Sequence, residues 1–513
     1  MIEMNNGIFG KINQVKYGAI LSYILIVVNS LQGIFMAPYI LSQIGEGDYG
    51  VYKAIAAFSA TIMVMDLGIG TTVMRYTAKF RAEKRIKDIS NFAAMGLIEA
   101  ATMSFFVIIL SIGIYYYLPT FYRETFTDAE ISLAKTLFLI LSVNIILVII
   151  ENVLNGVITG CNHFIFANGT KLLLLLLRIS GNIALLQKWN SAVVLVSITL
   201  ICSILTMLLQ LLYIRTQLHI SIRLYYWDFS LFKESLGYTL LMFAQTIAVQ
   251  ANGNIDNIVI SRIIGPSAVT VYSFGIQLFN MYESLATAFS GLMLPNISKR
   301  IADGADNAQL QEVVTKVGRM QFAVLGAALA GFICVGKEFI ALWLGEGFED
   351  VYYLSLILMI PVTFTLVQNV CLSILRAKNM MNFRTGSLIC TTVLNLVLTI
   401  IGTKFYGYYA AAIGTGLSIV LGSIIAMNIY YHKRIGFKVF KFYFDVFRRL
   451  IICILLPTVA VTIINSLFVC SWFGLFCKIT IFLIVYAVAL WLYGFSAQEK
   501  RYLWKGYKKH ESA

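Results

Sequence analysis

Long apolar stretches, separated by short polar segments, follow one another along the whole chain. They run about 20 residues or more, which is the length of a helix that crosses a bilayer, whereas barrel strands are shorter and alternate in polarity. The pattern therefore predicts an all-α integral membrane protein with about 14 transmembrane helices. The predicted spans lie near residues 17–42, 49–73, 91–118, 133–158, 170–188, 191–214, 236–261, 270–294, 317–344, 351–375, 385–405, 410–431, 450–470 and 474–495.

Two windows of the first half recur in the second half at nearly the same offset, 220 and 217 residues. The matched positions are Ile40, Ile44, Gly45, Val51 and Tyr52 with Ile260, Ile264, Gly265, Val271 and Tyr272, and then Asn152, Val153, Asn162, Phe166 and Gly169 with Asn369, Val370, Asn379, Phe383 and Gly386. The shared offset favours an internal duplication. The alternative is that two unrelated helix pairs both place glycine in a tight turn.

A duplicated unit of six spans predicts three parts in the chain. Residues 1–215 form an N-terminal six-helix lobe, residues 216–431 form a C-terminal six-helix lobe, and residues 432–513 add two helices and a basic cytoplasmic tail. An even number of spans gives a parallel repeat, with a site expected between the halves near mid-bilayer. Such repeats are typical of transporters that alternate access by rocking one lobe against the other.

Composition and charge exclude a soluble protein and set the predicted orientation. Of 513 residues, 59% are apolar and 12% are charged, against roughly 25% charged in soluble domains. Most of the 39 Lys and Arg residues fall on one side of the predicted topology, and those assigned to the other side are Arg123, Lys135, Lys188, Arg262, Lys404 and Lys478. The positive-inside rule then places both termini on the cytoplasmic side of a membrane of the inner-membrane type. The net charge of +14 thus indicates contact with anionic lipid, and no nucleic-acid partner is predicted.

Arg178 is the basic residue nearest the middle of a predicted span. A charge at a helix centre costs roughly 2.5–3.5 kcal/mol on insertion scales, so it needs a partner. The guanidinium presents a fork of donors suited to phosphate oxygens, which makes Arg178 a predicted substrate-binding residue. A structural ion pair with a carboxylate such as Glu151 explains Arg178 equally well.

Other intramembrane polar residues extend the predicted site. Asp256 lies with Asn252 and Asn254 in the seventh predicted span, and such a cluster favours the lining of a hydrated cavity over a purely structural hydrogen-bond network. We predict substrate contacts for all three. Lys53 is a further substrate-binding candidate, although snorkelling to water is the simpler explanation of its position.

Three carboxylates are predicted candidates for coupling transport to an ion: Asp256, Glu151 and Glu283. Each lies within a predicted span, where an ionisable group marks a transport pathway more often than a neutral residue does. Packing against a polar group of a neighbouring helix explains Glu283 equally well. The coupling ion, whether a proton or sodium, stays open.

The sequence carries no sign of an enzyme. His163, His219, His432 and His510 lie far apart in predicted cytoplasmic segments, and no H-E-x-x-H, G-x-S-x-G or phosphate-loop pattern occurs. The eight cysteines form no C-x-x-C pair, which argues against a zinc site. We therefore predict no catalytic residues, no metal and no cofactor.

Four stretches resemble the Wzx-type flippases of polysaccharide export, whose superfamily also holds MATE multidrug exporters and lipid II flippases. The stretches are Ile44 to Tyr52, Asp66-Leu67-Gly68 to Arg75, Asn254 to Asn257 with Ile264-Gly265 and Val271-Tyr272, and Leu375 to Asn379 with Asn395 and Tyr406-Gly407. Together they extend over residues 40 to 420, most of the chain. The likeness rests on topology more than on invariant residues.

The resemblance implies a V-shaped, two-lobed, MATE-like fold with a central cationic cavity. It also implies that an undecaprenyl-diphosphate-linked oligosaccharide is flipped from the cytoplasmic to the outer leaflet, for O-antigen, capsule, lipopolysaccharide or a related polymer. The implied partners are that substrate, membrane lipids, a polysaccharide polymerase and chain-length proteins.

Other functions remain open at this point. One alternative is a MATE-like multidrug or cation antiporter, which predicts an acidic, aromatic cavity. Another is a flippase for a different lipid-linked precursor, of the lipid II or teichoic acid type. A third is a scaffold for a polymer-assembly complex, which would leave the intramembrane charges without a purpose.

Overall fold

The computed structural model describes residues 13–227, 253–302, 306–378, 380–465 and 469–495, together with residues 229 and 250. Within these residues every regular element is helical, and 11 stretches are long and apolar enough to cross a membrane. The all-α membrane fold expected from the hydrophobic pattern is confirmed. The seventh predicted span, 236–261, lies largely outside the described residues.

The described helices lie over the predicted spans, although two of them begin about ten residues earlier, at Asn307 and Val439. They are α1 Gln14–Ile62, α2 Ile69–Ala82, α3 Ile86–Tyr122, α4 Asp128–Gly160, α5 Phe164–Leu186, α6 Ala192–Thr216, α7 (residues 253–263), α8 Pro266–Ala302, α9 Asn307–Leu344, α10 Asp350–Val367, α11 Asn369–Ala377, α12 Asn382–Tyr406, α13 Tyr408–Ser418, α14 Met427–Ile435, α15 Val439–Ile464 and α16 Trp472–Ala489. Short π-helical segments, Ile419–Ala426 and Leu490–Gly494, follow α13 and α16.

Two breaks shape the start of the chain. α1 contains the first predicted span and most of the second, and these are separated by a kink at Gly45, where φ is +80°. Glycine adopts this left-handed backbone without the steric cost that a side chain would add. The second predicted span, 49–73, is not continuous, because a 3₁₀ turn (Met63–Asp66) and left-handed Leu67 and Gly68 separate α1 from α2.

The chain divides into two compact units, one ending at Thr270 and the other beginning at Val271. The first unit holds α1 to α7, the second holds α9 to α16, and the division falls inside α8. The lobe limits at residues 215 and 431 stay predictions. Gly265, the predicted repeat equivalent of Gly45, also has a positive φ, of +125°.

In the second unit, α16 is joined to α9 by a buried ion pair. The ammonium of Lys478 lies 2.7 Å from a carboxylate oxygen of Glu338, and Lys478 is only 2% exposed. The assignment of Lys478 to the side opposite the termini stays a prediction, whereas its burial against Glu338 was not predicted from the sequence. The Glu338 partner offsets the desolvation of the charge, and hydropathy along a single helix carries no information about that partner.

In the first unit, α2 and α4 approach to backbone contact through small residues. A Cβ atom added at Gly156 would lie 2.5 Å from the carbonyl oxygen of Gly70, and one added at Gly70 would lie 2.6 Å from the carbonyl oxygen of Asn152. Gly156 and Gly160 form a G-x-x-x-G pair, the spacing that lets membrane helices pack closely. This contact places Asn152 of α4 beside the break that precedes α2.

We predict that Gly156→Ala lowers the apparent midpoint of thermal unfolding of the purified protein, because the new methyl group must displace the α2 backbone. Overpacking of this kind costs about 1–3 kcal/mol. Gly113→Ala is the matched control, since Gly113 also lies in a helix but an added Cβ meets no atom within 4 Å. The control should be neutral or stabilising by up to about 1 kcal/mol, and equal midpoints for the two variants would contradict the close α2–α4 packing.

Candidate functional site

The first unit contains a partly open cavity of about 290 Å³, lined mainly by polar and charged residues, between α1, α4, α5 and α6. Its volume is enough for several water molecules. The lining residues are Leu25, Asn29, Glu151, Asn152, Asn155, Lys171, Leu174, Leu175, Arg178, Thr199, Cys202, Ser203, Thr206 and Gln210. Its charged members are Glu151, Lys171 and Arg178, so the cavity has one more positive than negative charge.

One face of α6 supplies a polar wall. Thr199, Ser203, Thr206 and Gln210 are spaced by four, three and four residues, which places them on one side of a helix. The opposite side of α6 is apolar and exposed, with leucines that suit contact with lipid chains, such as Leu208. The helix is thus amphipathic inside the membrane, and its polar face points into the cavity.

The two cations stand on α5, seven residues and about two turns apart. Lys171 lies about 10 Å and Arg178 about 21 Å along the helix from its first residue, at 1.5 Å per residue. Lys171 is exposed, whereas Arg178 is half-buried. Together they form a cationic line that leads from one end of α5 toward its middle.

The guanidinium of Arg178 is largely uncommitted. One terminal nitrogen, Nη2, donates a long hydrogen bond of 3.5 Å to the amide oxygen of Gln32 on α1. Its buried Nε has no hydrogen-bond partner among the described residues. No ion pair joins Arg178 to Glu151, both of which the structure describes, so the structural ion pair considered from the sequence is not formed here. An uncommitted guanidinium in a cavity is available to an incoming anion.

The wall on α4 carries Glu151, Asn152 and Asn155. The carboxylate oxygen Oε1 of Glu151 is buried and accepts no hydrogen bond from the described residues, and Lys171 is the nearby charge that acts on this carboxylate. The side chain of Asn152 interacts with the carboxylate of Asp66, at the break between α1 and α2. The cavity wall is therefore joined to a non-helical segment of the second predicted span.

The other predicted site residues lie away from this cavity. The ammonium of Lys53 lies 5.2 Å and 5.9 Å from the ring centres of Tyr49 and Tyr52, a cation–π arrangement that partly satisfies its charge. Asn254 donates to the backbone oxygen of Gln250 at 3.1 Å. Neither Lys53 nor Asn254 lines the α4–α6 cavity.

Asp256 and Glu283 are also separate from the cavity. Asp256, on α7, is 3% exposed, and Glu283, on α8, is half-buried and belongs to the second unit. Asn252 lies outside the described residues. Of the seven predicted site residues, the structure therefore brings together Arg178 and Glu151. Their roles stay predictions.

Lys171 and the polar wall of α6 were missed from the sequence. Lys171 lies at the end of its predicted span. A lysine there reaches water by snorkelling, so its position did not indicate a functional role. The α6 residues are neutral and individually common in membrane helices. The available signal was their spacing, because four polar residues on one face of a membrane helix indicate a hydrated neighbour. The described residues hold no group of three or more metal-binding side chains.

The sequence profile of a family described as polysaccharide biosynthesis protein matches residues 44–353, more than half of the chain. A protein of Haloferax volcanii described as a probable flippase, AglR, is 26% identical over 179 residues. That alignment covers 34% of this chain and 37% of the relative, so the chain matches little more than a third of the relative's length.

Solved structures share the fold at low sequence identity. The lipid II flippase MurJ, in an inward closed conformation, has a TM-score of 0.71 at 15% identity, covering 92% of this chain and 97% of MurJ. An inward-facing MATE family multidrug resistance transporter has a TM-score of 0.61 at 15% identity, covering 81% and 96%. At these identities the likeness establishes the fold.

We predict that the cavity is hydrated, so a cysteine placed in it reacts with a charged, membrane-impermeant thiol reagent. In a variant whose eight native cysteines are replaced by serine, Thr206→Cys should be modified markedly faster than Leu205→Cys. Thr206 lines the cavity, whereas its neighbour Leu205 is 40% exposed on the apolar surface. The reagent attacks the thiolate, which forms in water and not in lipid. Equal rates at the two positions would show that the cavity is dry.

Proposed function

This chain belongs to the polysaccharide biosynthesis protein family, and we propose that it is a flippase that moves a lipid-linked oligosaccharide across the membrane. The finer proposal is an undecaprenyl-diphosphate-linked oligosaccharide, carried from the cytoplasmic to the outer leaflet of a bacterial inner membrane for assembly of a surface polysaccharide such as O-antigen or capsule. Both chain termini are proposed to be cytoplasmic, and the protein itself performs no covalent chemistry.

The observation that carries this proposal is the pair of cations in the α4–α6 cavity. A diphosphate carries about two negative charges, and its desolvation in a membrane is prohibitive without positive partners. Arg178 offers uncommitted donors in a fork that matches phosphate oxygens, and Lys171 adds a mobile point charge one step closer to the end of α5. One phosphate head group could contact Lys171 and Arg178 in succession as it moves along α5.

The neutral lining has a role in the same proposal. Hydroxyl and amide side chains such as Thr206, Ser203 and Gln210 exchange hydrogen bonds with sugar hydroxyls at little net cost. The polyprenyl chain stays in the bilayer, because lipid solvates it as well as any protein groove. The membrane potential assists outward movement by about 2.3 kcal/mol per negative charge at 100 mV, or about 4.6 kcal/mol for a diphosphate.

Glu151 is the carboxylate that we propose couples transport to an ion, with Asp256 and Glu283 as the remaining candidates. It shares the cavity with Lys171 and Arg178, so its charge state changes the electrostatic potential felt by an entering anion. A proton on Glu151 makes the cavity more positive and strengthens anion binding.

The charges of the cavity also distinguish between the alternative functions. A MATE-like exporter of cationic drugs is disfavoured, because a cavity with two cations and one carboxylate repels a cation. Lipid II or teichoic acid precursors share the phosphate-linked lipid chemistry and remain alternative substrates of the same mechanism. A polysaccharide polymerase and chain-length proteins are proposed partners, as the resemblance to polysaccharide-export flippases implies.

We predict that Arg178→Ala slows translocation of a fluorescent undecaprenyl-diphosphate sugar about 10- to 100-fold in proteoliposomes. Hydrogen bonds to charged groups contribute about 1.5–3 kcal/mol, which corresponds to this factor. Translocation is measured as the loss of fluorophore accessible to an external quencher. Arg123→Ala is the matched control, because Arg123 is exposed at the end of α3 and does not line the cavity.

Two results would count against the proposal in different ways. If wild type moves no lipid-linked sugar but moves a cationic dye, the drug-exporter hypothesis replaces the flippase. If Arg178→Ala and Arg123→Ala are equally active, the flippase stands and the assignment of Arg178 fails.

We predict that Glu151→Gln removes the dependence of translocation on an imposed pH gradient while leaving translocation itself measurable. A gradient of one unit supplies about 1.4 kcal/mol per proton, so coupling of one proton changes the transport equilibrium by up to about tenfold. The assay compares proteoliposomes with and without the gradient. Glu99→Gln is the control, since Glu99 is half-buried in α3 but does not line the cavity. A gradient effect that survives in Glu151→Gln would shift the role to Asp256 or Glu283.

A further inference from the structure

Residues 221–227, here called the aromatic strap, form no regular secondary structure and run past the first two turns of α3. They follow α6 along the chain. Two buried polar residues of α3 hold their backbone. The side-chain oxygen of Asn91 accepts from the amides of Tyr225 at 2.7 Å and Tyr226 at 3.0 Å. Ser90 accepts from the amide of Arg223 at 3.1 Å and donates to the carbonyl oxygen of Ser221.

A side chain of the strap also contacts α3. The hydroxyl of Tyr226 donates to the carboxylate of Asp88, which also forms an ion pair with Arg85. The Asp88 carboxylate thus accepts from both Tyr226 and Arg85, and the strap has a defined position on the end of α3.

The strap turns its large apolar side chains outward. Leu224, Tyr225, Tyr226 and Trp227 are all exposed, Trp227 at 43%. Four consecutive exposed apolar residues are unusual for a loop in water. Its backbone amides at Tyr225 and Tyr226 are already bound to Asn91, so the segment can enter a less polar medium without leaving these donors unsatisfied.

Exposed basic residues lie on the strap and near the start of α3. Lys84 and Arg85 lie on the turn between α2 and α3, Lys87 lies in the first turn of α3, and Arg223 lies on the strap itself. Arg85 is paired with the carboxylates of Glu83 and Asp88, so Lys84, Lys87 and Arg223 are the cations offered to lipid. Aromatic side chains are enriched where a membrane meets water, and each basic residue near an anionic leaflet contributes about 1 kcal/mol. The strap lies at the end of α3 where its apolar run begins, which is the level of that boundary.

We propose that the aromatic strap binds the surface of an anionic bilayer, with Trp227 and its neighbours in the interfacial layer and the surrounding cations on lipid phosphates. The occupant is lipid rather than a protein, because the exposed aromatic residues are rimmed by cations at the membrane boundary. The strap thereby attaches the connection between α6 and α7 to the leaflet. This binding is independent of what the protein transports.

The test uses the full-length protein with Trp227 as its sole tryptophan, the other five being replaced by phenylalanine, in vesicles of phosphatidylglycerol and phosphatidylcholine. Bromine atoms on lipid chains near the head group should quench Trp227 fluorescence strongly, and aqueous iodide should quench it weakly. Bromine on phosphatidylglycerol should quench more than the same amount on phosphatidylcholine. A protein that keeps only Trp343, which is 6% exposed, is the control and should respond weakly to both quenchers.

Asn91→Ala provides the second arm, because it removes the acceptor of both strap amides. Iodide quenching of Trp227 should increase and bromine quenching should decrease, while far-UV circular dichroism stays unchanged. Strong iodide quenching with little bromine quenching in the parent protein would overturn the proposal and point to a water-facing surface for a protein partner. Equal quenching by the two brominated lipids would overturn the selectivity for anionic lipid.

Discussion

The hydrocarbon core of a membrane offers no hydrogen bonds, and this constraint organises the first unit of the protein. Each polar group at that depth must find a partner in the protein or in enclosed water. Many polar residues of α4, α5 and α6 accordingly line one cavity, while leucines of the same helices point outward. The second unit meets the same constraint differently, by joining Lys478 directly to Glu338.

Close helix packing connects the cavity to the irregular part of the chain. Because glycines bring α2 and α4 into contact, Asn152 can line the cavity and also interact with Asp66. Asp66 stands at the break where Leu67 and Gly68 adopt left-handed backbone. A non-helical segment inside a membrane persists only where protein groups or water satisfy its polar atoms, and this segment lies beside the proposed pathway.

The cavity and the aromatic strap both carry positive charge, which complements the proposed anionic, lipid-linked substrate. Inside the cavity, Arg178 and Lys171 outnumber Glu151, which favours an anionic head group over a cation. At the boundary, the cations around the aromatic strap suit the anionic lipids among which such a substrate is presented. Family membership and these two features support a flippase for a lipid-linked oligosaccharide.

The sequence by itself determined the membrane class, the approximate location of most helices along the chain, and two of the cavity residues, Arg178 and Glu151. These follow from local properties, because a long apolar run must span lipid and a charge within it is conspicuous. Only the tertiary structure decided that Lys171 shares their cavity, that Lys53 lies over tyrosine rings, and that Lys478 is buried against Glu338. Hydropathy is read along one helix, whereas these partnerships depend on which helices are neighbours, and neighbours are chosen by packing between residues far apart in the chain.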